Sequence, residues 1–388
     1  MYSMRDKFLL FSPPSIGQEE IDEVVDTLKS DWITTGPKTR RFADEFAGYL
    51  GVKAALPLNS CTACLHVALV AFGIGPGDEV ITTPMTFAAS ANVIEHVGAK
   101  PVFVDVQPDT LNIDPENIRK VITPHTKAIL PVHYTGHPVD MDEIMAIARE
   151  HKLHVIEDAA HALPAKYKGQ FIGSFGNPTA FSFYATKNLT TAEGGMLTGP
   201  PEFLEQARIV SLHGMNRDAW QRYGKGASWY YEVVLPGFKY NMTDIQAAIG
   251  LCQLKKLERF QARRRQVVAA YQAAFSKVEA LQCPVTRDYI EHAWHLYVLR
   301  LRLALLKISR DEFIEQLKRR NIGTSVHFIP VHIHPYYRDK YSYKPDDFPV
   351  AADHYSRALS LPLHPGLSDG DVDDVIEAVM DVVKKNKK

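Results

Sequence analysis

Between about residues 15 and 250 the chain alternates short runs of β-branched and apolar residues with amphipathic stretches of helical length, and this alternation restricts the fold more than any other feature. The pattern predicts strands over residues 54–58, 79–83, 101–105, 128–133 and 155–158. It predicts helices over 17–30, 63–72, 88–97, 141–152 and 201–212. Such a succession implies α/β architecture: a mainly parallel sheet covered by helices on both faces. From 244 to 275 the apolar spacing describes one helix too long for a crossover, expected to bridge two domains. A strand over 295–303, a helix over 310–320 and a terminal helix over 371–384 then predict a smaller C-terminal α+β domain. The expected division is a large domain over 1–250 and a small one over 251–388.

Two segments carry chemistry. In VIEDAAHA an apolar run leads directly into Glu157 and Asp158, as a parallel strand does when it delivers carboxylates at its C-terminal end. Open α/β sheets bind their ligands at that end. Downstream, the aromatic segment FSFYAT is expected to be a strand ending at Lys187, after which Glu193, Gly194 and Gly195 turn the chain into the apolar MLTG. A lysine among aromatic and small residues is poorly solvated, so its pKa falls and a neutral amine becomes accessible. Such an amine forms Schiff bases. Pyridoxal 5'-phosphate, an aldehyde on a pyridine ring, requires that lysine and an aspartate beside its ring nitrogen; Asp158 is the candidate for the second role.

Composition narrows the alternatives. Forty-four basic against forty-five acidic residues, a net charge of -1, offer no electrostatic case for nucleic acid or an anionic membrane. The N-terminal FLLF is short and followed by prolines, so neither a signal peptide nor a membrane span is expected. Four cysteines are too few for a disulfide scaffold, and a reduced cytoplasm is the expected compartment.

A phosphate needs amide donors at a helix start and nearby hydroxyls. The segment LPLNSCTACLHVAL supplies both, with Ser60, Thr62 and the Ala63 amide as candidate donors, joined by Ser182 if its strand lies alongside. Plain helix capping accounts for these residues equally well when they are taken alone. Cys61 and Cys64 have thioredoxin-like spacing, but no second Cys/His pair accompanies them. GIGPGDEV follows a helix instead of a strand and reads as a helix C-cap. His327, His332 and His334 could bind metal, yet strand alternation broken by prolines favours a structural or substrate-lining role, and His327 is the candidate for substrate contact.

Nearly the whole chain, from DWITTGPKTRRFADEFAGYLG to LSLPLHPGLSDGDVDDVIEAV, resembles the DegT/DnrJ/StrS family of sugar aminotransferases, with EDAAHA and TKNLTTAEGG as the strongest motifs. The resemblance implies the aspartate aminotransferase fold type I and pyridoxal phosphate as cofactor. It makes Lys187 the Schiff-base lysine and proton carrier, and Asp158 the partner of the pyridine nitrogen. His161, where many relatives have glutamine, would contact the ring oxygen; Phe87 would stack on the ring, although a core aromatic at a helix start is the plain alternative. Thr62, Ala63 and Ser182 would hold the phosphate. Lys239 and Asn241 correspond to a loop that reaches a partner subunit's cofactor, which implies a homodimer. Thr34, Thr35, Lys38 and Arg41 resemble the segment that meets the nucleotide sugar, while a solvated surface loop explains each of them singly.

The implied reaction is a two-half transamination from glutamate to a nucleotide-linked ketosugar. TTAEGG resembles the form in enzymes acting at sugar C4, so a UDP-linked 4-keto-6-deoxyhexose is expected, with GDP- or dTDP-linked sugars or reaction at C3 as alternatives. Related sugar dehydratases carry histidine in place of the lysine, and this chain keeps Lys187.

Overall fold

The computed structural model describes residues 5–216 and 230–388. Seven strands of the N-terminal region form its central sheet: β1 (Ala55–Leu58), β2 (Glu79–Thr82), β3 (Lys100–Phe103), β4 (Thr126–Ile129), β5 (His154–Val155, resumed as Glu157–Asp158), β6 (Thr179–Ser182) and β7 (Gly195–Thr198). Their order is 3-2-4-5-6-7-1. β5 joins the two halves: Ile156 N–H donates to Ile129 O on one side, and Glu157 N–H donates to Pro178 O on the other. β2, β3, β4, β5 and β6 are parallel, β7 runs antiparallel to both neighbours, and β1 is therefore parallel to the rest. The expected mainly parallel sheet is present, with one reversed strand where the chain turns back at Glu193–Gly195.

Helices cover both faces. α1 (Gln18–Lys29), α2 (Pro37–Leu50), α3 (Cys61–Ala71), α4 (Ala89–His96), α5 (Pro115–Val121), α6 (Met141–His151) and α7 (Pro201–Ser211) accompany the sheet. Two apolar cores lie on its opposite sides, one containing Phe42, Phe46, Ile144, Phe181 and Met196, the other Leu65, Leu69, Ile94, Leu130 and Leu197. The alternation of Phe181 with Ala180 and of Met196 with Leu197 between these cores follows from the two-residue period of a strand.

α8 (Asp244–Phe275) runs 32 residues, as its spacing predicts, behind a capping box at Thr243 and Gln246. Its first half buries Ala247, Leu251 and Leu257 in the large core. Its second half buries Val267, Val268, Tyr271 and Phe275 in a separate core with β8 (Leu281–Gln282), β9 (Tyr297–Leu301), β10 (Ala358–Leu361) and the terminal helix Asp369–Asn386. Leu9 belongs to this second core, so the N-terminal segment crosses to the C-terminal region. Among the described residues no helix is long and apolar enough to cross a membrane.

Asp244, the first residue of α8, ties this rod to the start of α2. Its carboxylate accepts from the amides of Gly36 (2.8 Å), Lys38 (3.0 Å) and Thr39 (2.8 Å) and from the Thr39 hydroxyl (2.6 Å), and it is 2 % exposed. A carboxylate at a helix N-terminus satisfies amides that have no intrahelical acceptor and opposes the helix dipole. Asp244→Ala strands these donors, and the expected loss is about 3 kcal/mol of stability, read from the urea midpoint, with Asp244→Asn falling between variant and wild type.

Candidate active site

Adjacent carboxylates on β5 point to opposite faces of the sheet. Glu157, fully buried, accepts from His133 Nε2 at 3.0 Å and from the Thr179 hydroxyl at 3.0 Å behind it. The Val139 amide donates to His133 Nδ1, which leaves the ring proton on Nε2. Asp158 faces the other way, into a cavity of 480 Å³ at the C-terminal ends of the parallel strands. Ser90 Oγ donates to Asp158 Oδ2 at 2.7 Å and the Ala160 amide to Oδ1 at 3.1 Å.

Lys187 enters the same cavity from a turn and not from a strand end. β6 stops at Ser182: Phe183 still donates to Gly194 O, but the Lys187 amide closes a turn onto Tyr184 O at 2.9 Å, so the chain has left the sheet. Desolvation lowers the Lys187 pKa to about 8, against opposing contributions from Cys61 and Asp158. The cavity is further lined by Ser60, Thr62, Phe87, His161, Ser182 and His327, which the sequence singled out.

The phosphate-side residues meet through a glycine. Gly195 of β7 lies in one row between Leu58 of β1 and Ser182 of β6. β1 and β6 are thus not neighbours, the condition under which Ser182 was expected to join; β7 separates them and still brings their ends together. A Cβ on Gly195 would lie 2.5 Å from Ser60 C and 2.6 Å from Cys61 N, so only glycine lets the start of α3 sit over the strand ends. At that start Ser60 is the N-cap and its hydroxyl accepts from the Ala63 amide at 3.0 Å. The Ala63 donor is therefore already engaged, while the Cys61 and Thr62 amides begin the helix without intrahelical acceptors. A helix N-terminus, the Thr62 and Ser182 hydroxyls, a buried carboxylate and a desolvated lysine fit pyridoxal phosphate as a donor set.

Three rings form one wall. His161 packs between Phe328 (centroids 5.7 Å apart) and His295 (4.4 Å), and its Nδ1 is buried without a partner among the described residues. Burial and the nearby Lys187 charge hold His161 and His295 well below the usual histidine pKa and push His327 down to about 4, so all three are neutral at physiological pH. Phe87 is 64 % exposed at the mouth, 6.0 Å from the Phe328 ring, which excludes the core-aromatic alternative. Cys61 and Cys64 are free buried thiols whose pKa values burial raises, so neither carries a thiolate at neutral pH. His332 turns away to accompany Pro345 O, and His334 precedes the helix Pro335–Tyr341; neither lines the cavity with His327.

Six sequence candidates besides Ala63 do not line this cavity. Lys38 is paired with Glu23 at 2.8 Å and Asp26 at 2.7 Å; Arg41 is paired with Glu45 at 2.7 Å. The Thr34 carbonyl accepts from the Asp244 amide, the Thr35 hydroxyl donates to Met242 O and accepts from Asn241 Nδ2, and Lys239 Nζ donates to Asn241 Oδ1. Thr34, Thr35 and Asn241 thus form one connected surface segment, and Lys239 is exposed beside it. Sequence reading missed Ser90, Glu193, His295 and Phe328. Ser90 lies in an α4 segment that also carries Asn92, Glu95 and His96, so it did not stand out; His295 and Phe328 come from distant parts of the chain and carried no signal.

Residues 14–380 match the DegT/DnrJ/EryC1/StrS aminotransferase family. The chain belongs to that family. This aminotransferase is 56 % identical over 385 residues to an uncharacterized protein of Methanocaldococcus jannaschii, covering 99 % of this chain and 100 % of the relative. It is 55 % identical over 386 residues to the spore coat polysaccharide biosynthesis protein SpsC of Bacillus subtilis, with 99 % of each covered. Its structure superposes on Streptococcus pneumoniae Spr1654, assigned as a sugar aminotransferase, with a TM-score of 0.91 for the PMP form and 0.90 for the PLP form; identity is 37 %, covering 97 % of this chain and 99 % of the other.

Two outcomes follow from the geometry of the aminotransferase. Gly195→Ala is expected to weaken pyridoxal phosphate binding at least about tenfold, measured by absorbance titration, because the α3 start must retreat from the cavity. With its pKa lowered, Lys187 is neutral in more of the population near neutrality than an ordinary lysine. Borohydride trapping of pyridoxal phosphate on the apo-protein is therefore expected to rise with pH with a midpoint of about 8; a midpoint near 10 contradicts the desolvated amine.

Proposed function

We propose that this aminotransferase uses pyridoxal phosphate to move an amino group from glutamate to a nucleotide-linked ketosugar, best a UDP-linked 4-keto-6-deoxyhexose, giving the 4-amino sugar. The observation that carries the reading is Lys187 and Asp158 in one cavity beneath the start of α3. When bound, the cofactor supplies an aldehyde for amine exchange and an electron-accepting ring. The chain supplies the rest. Thr62, with the Cys61 and Thr62 amides at the opening of α3, and Ser182 hold the phosphate, while the Ala63 amide stays on the Ser60 hydroxyl. Asp158, fixed by Ser90 and Ala160, keeps a proton on the ring nitrogen. Lys187, released as an amine with its pKa lowered to about 8, takes a proton from the donor carbon in one half-reaction and delivers a proton to the sugar carbon in the other. His161 meets the ring oxygen and Phe87 closes over the ring from the mouth. His327, neutral, offers a hydrogen bond to the sugar.

The likeness to SpsC supports a place in polysaccharide synthesis, and the TTAEGG turn supports C4 over C3; GDP- and dTDP-linked sugars are the alternatives. Retention of Lys187 disfavours a sugar dehydratase. A homodimer is supported by the exposed apolar face of α1, Ile21, Val25 and Leu28, and by an apolar groove of Ile16, Val24, Ala185, Ala192 and Ile249 that adjoins the Lys187 turn. In such a dimer Lys239 and Asn241 reach the partner's phosphate, and Thr34 and Thr35 meet the nucleotide sugar. Lys38 and Arg41 join them only by exchanging their present ion pairs. Free cysteines and near-neutral charge suit the cytoplasm.

The test is a cofactor absorption spectrum before and after glutamate, followed by turnover with 4-keto and 3-keto sugar nucleotides. Wild type should change spectrum with glutamate and aminate the 4-ketosugar. Lys187→Ala should lose at least about 10³-fold in rate; full turnover by that variant indicates a dehydratase instead.

A further inference from the structure

Next to Lys187 in the chain, Asn188 is buried and makes a set of hydrogen bonds that fixes a third histidine. Its Nδ2 donates to Leu163 O and Ala293 O, both at 2.8 Å. Carbonyl oxygens only accept, so the amide cannot be flipped and its Oδ1 is an acceptor. That oxygen lies 3.2 Å from His295 Nδ1, which must therefore carry the ring proton. The His295 Nε2 is left as a bare lone pair with no hydrogen-bond partner among the described residues, on a residue that lines the same wall as Lys187. The segment holding the ring is itself pinned. Arg264, buried in α8, donates to the carbonyls of Trp294 and His295, and the His295 amide donates to Thr135 O.

We propose that His295 is a positioning residue for Lys187: Asn188 locks it in the Nδ1-protonated tautomer so that Nε2 accepts a hydrogen bond from the Lys187 ammonium whenever that lysine holds the proton. The other titratable groups facing Lys187 are Cys61 from α3, Asp158 and His161 from the end of β5, Tyr184 from the Lys187 turn, Glu193 from the turn before β7, and His327 from the C-terminal region. Asp158 is committed to Ser90 and the Ala160 amide, and Cys61 is a neutral thiol. His295 is thus a neutral acceptor, and its neutrality is reinforced because the Lys187 charge itself disfavours a second cation there. An acceptor of this kind stabilises the ammonium without competing for its proton.

The inference rests on the reading of Lys187 as the cofactor lysine, and the experiment separates the two. Apo-protein is mixed with pyridoxal phosphate and borohydride over a range of pH, and label on the Lys187 peptide is quantified by mass spectrometry. Absence of wild-type label on Lys187 at every pH overturns the lysine assignment itself. Given label, His295→Leu is expected to lower the trapping midpoint by about one pH unit through loss of a charge-assisted hydrogen bond, and His295→Gln, which keeps an acceptor, to restore it. An unchanged midpoint in His295→Leu, or equal shifts in both variants, overturns the role of His295. Should His295→Leu fail to fold, nitrogen-15 NMR of histidine-labelled wild type decides: a neutral Nδ1-protonated His295 near pH 7 supports the lock, and the Nε2-protonated tautomer overturns it.

Discussion

The site depends on a place where no side chain can stand. β1 and β6 end on either side of Gly195, and the backbone of Ser60 and Cys61 occupies the volume that a Cβ there would fill. Because of this contact the orphan amides of α3 open at the same level as Ser182 and within the cavity that Asp158 and Lys187 share. Any residue larger than hydrogen would lift the helix off the strand ends and separate the phosphate donors from the ring-binding groups. The reversed direction of β7 serves the same end: it brings the glycine-rich turn to the strand ends at which the parallel sheet binds ligands.

A second constraint is the dryness of the wall opposite. Asp158 and Glu157 are consecutive buried carboxylates, kept apart by the pleat of one strand and satisfied by different partners. The histidines around the cavity are neutral because burial and the lysine charge act in the same direction. The polar groups near Lys187 therefore accept or donate hydrogen bonds without adding positive charge to a site meant for an anionic phosphate and a mobile proton.

The sheet, the long helix and the lysine and aspartate pair were legible from the chain because each is written locally: an apolar run before Glu157 and Asp158, an uninterrupted helical period over α8, paired glycines after Lys187. The strand into Lys187 was overextended, since FSFYAT keeps its aromatic character beyond the last ladder bond and only the turn onto Tyr184 O ends it. Ala63 looked like a free donor until the Ser60 hydroxyl was placed beside it. His295 and Phe328 could not be found by pattern, as they reach the cavity from segments more than a hundred residues downstream of Lys187.

α8 has a mechanical meaning beyond bridging two cores. At about 1.5 Å per residue its 32 residues form a strut of about 48 Å, stiff along its axis. One end grips the α2 entrance through Asp244, the middle holds the His295 segment through Arg264, and the far end is embedded in the C-terminal core. A strut clamped at three points cannot tilt at one without load at the others. The start of α2, the His295 segment and the C-terminal core are therefore fixed to one stiff element, and displacing any one of them loads the other two.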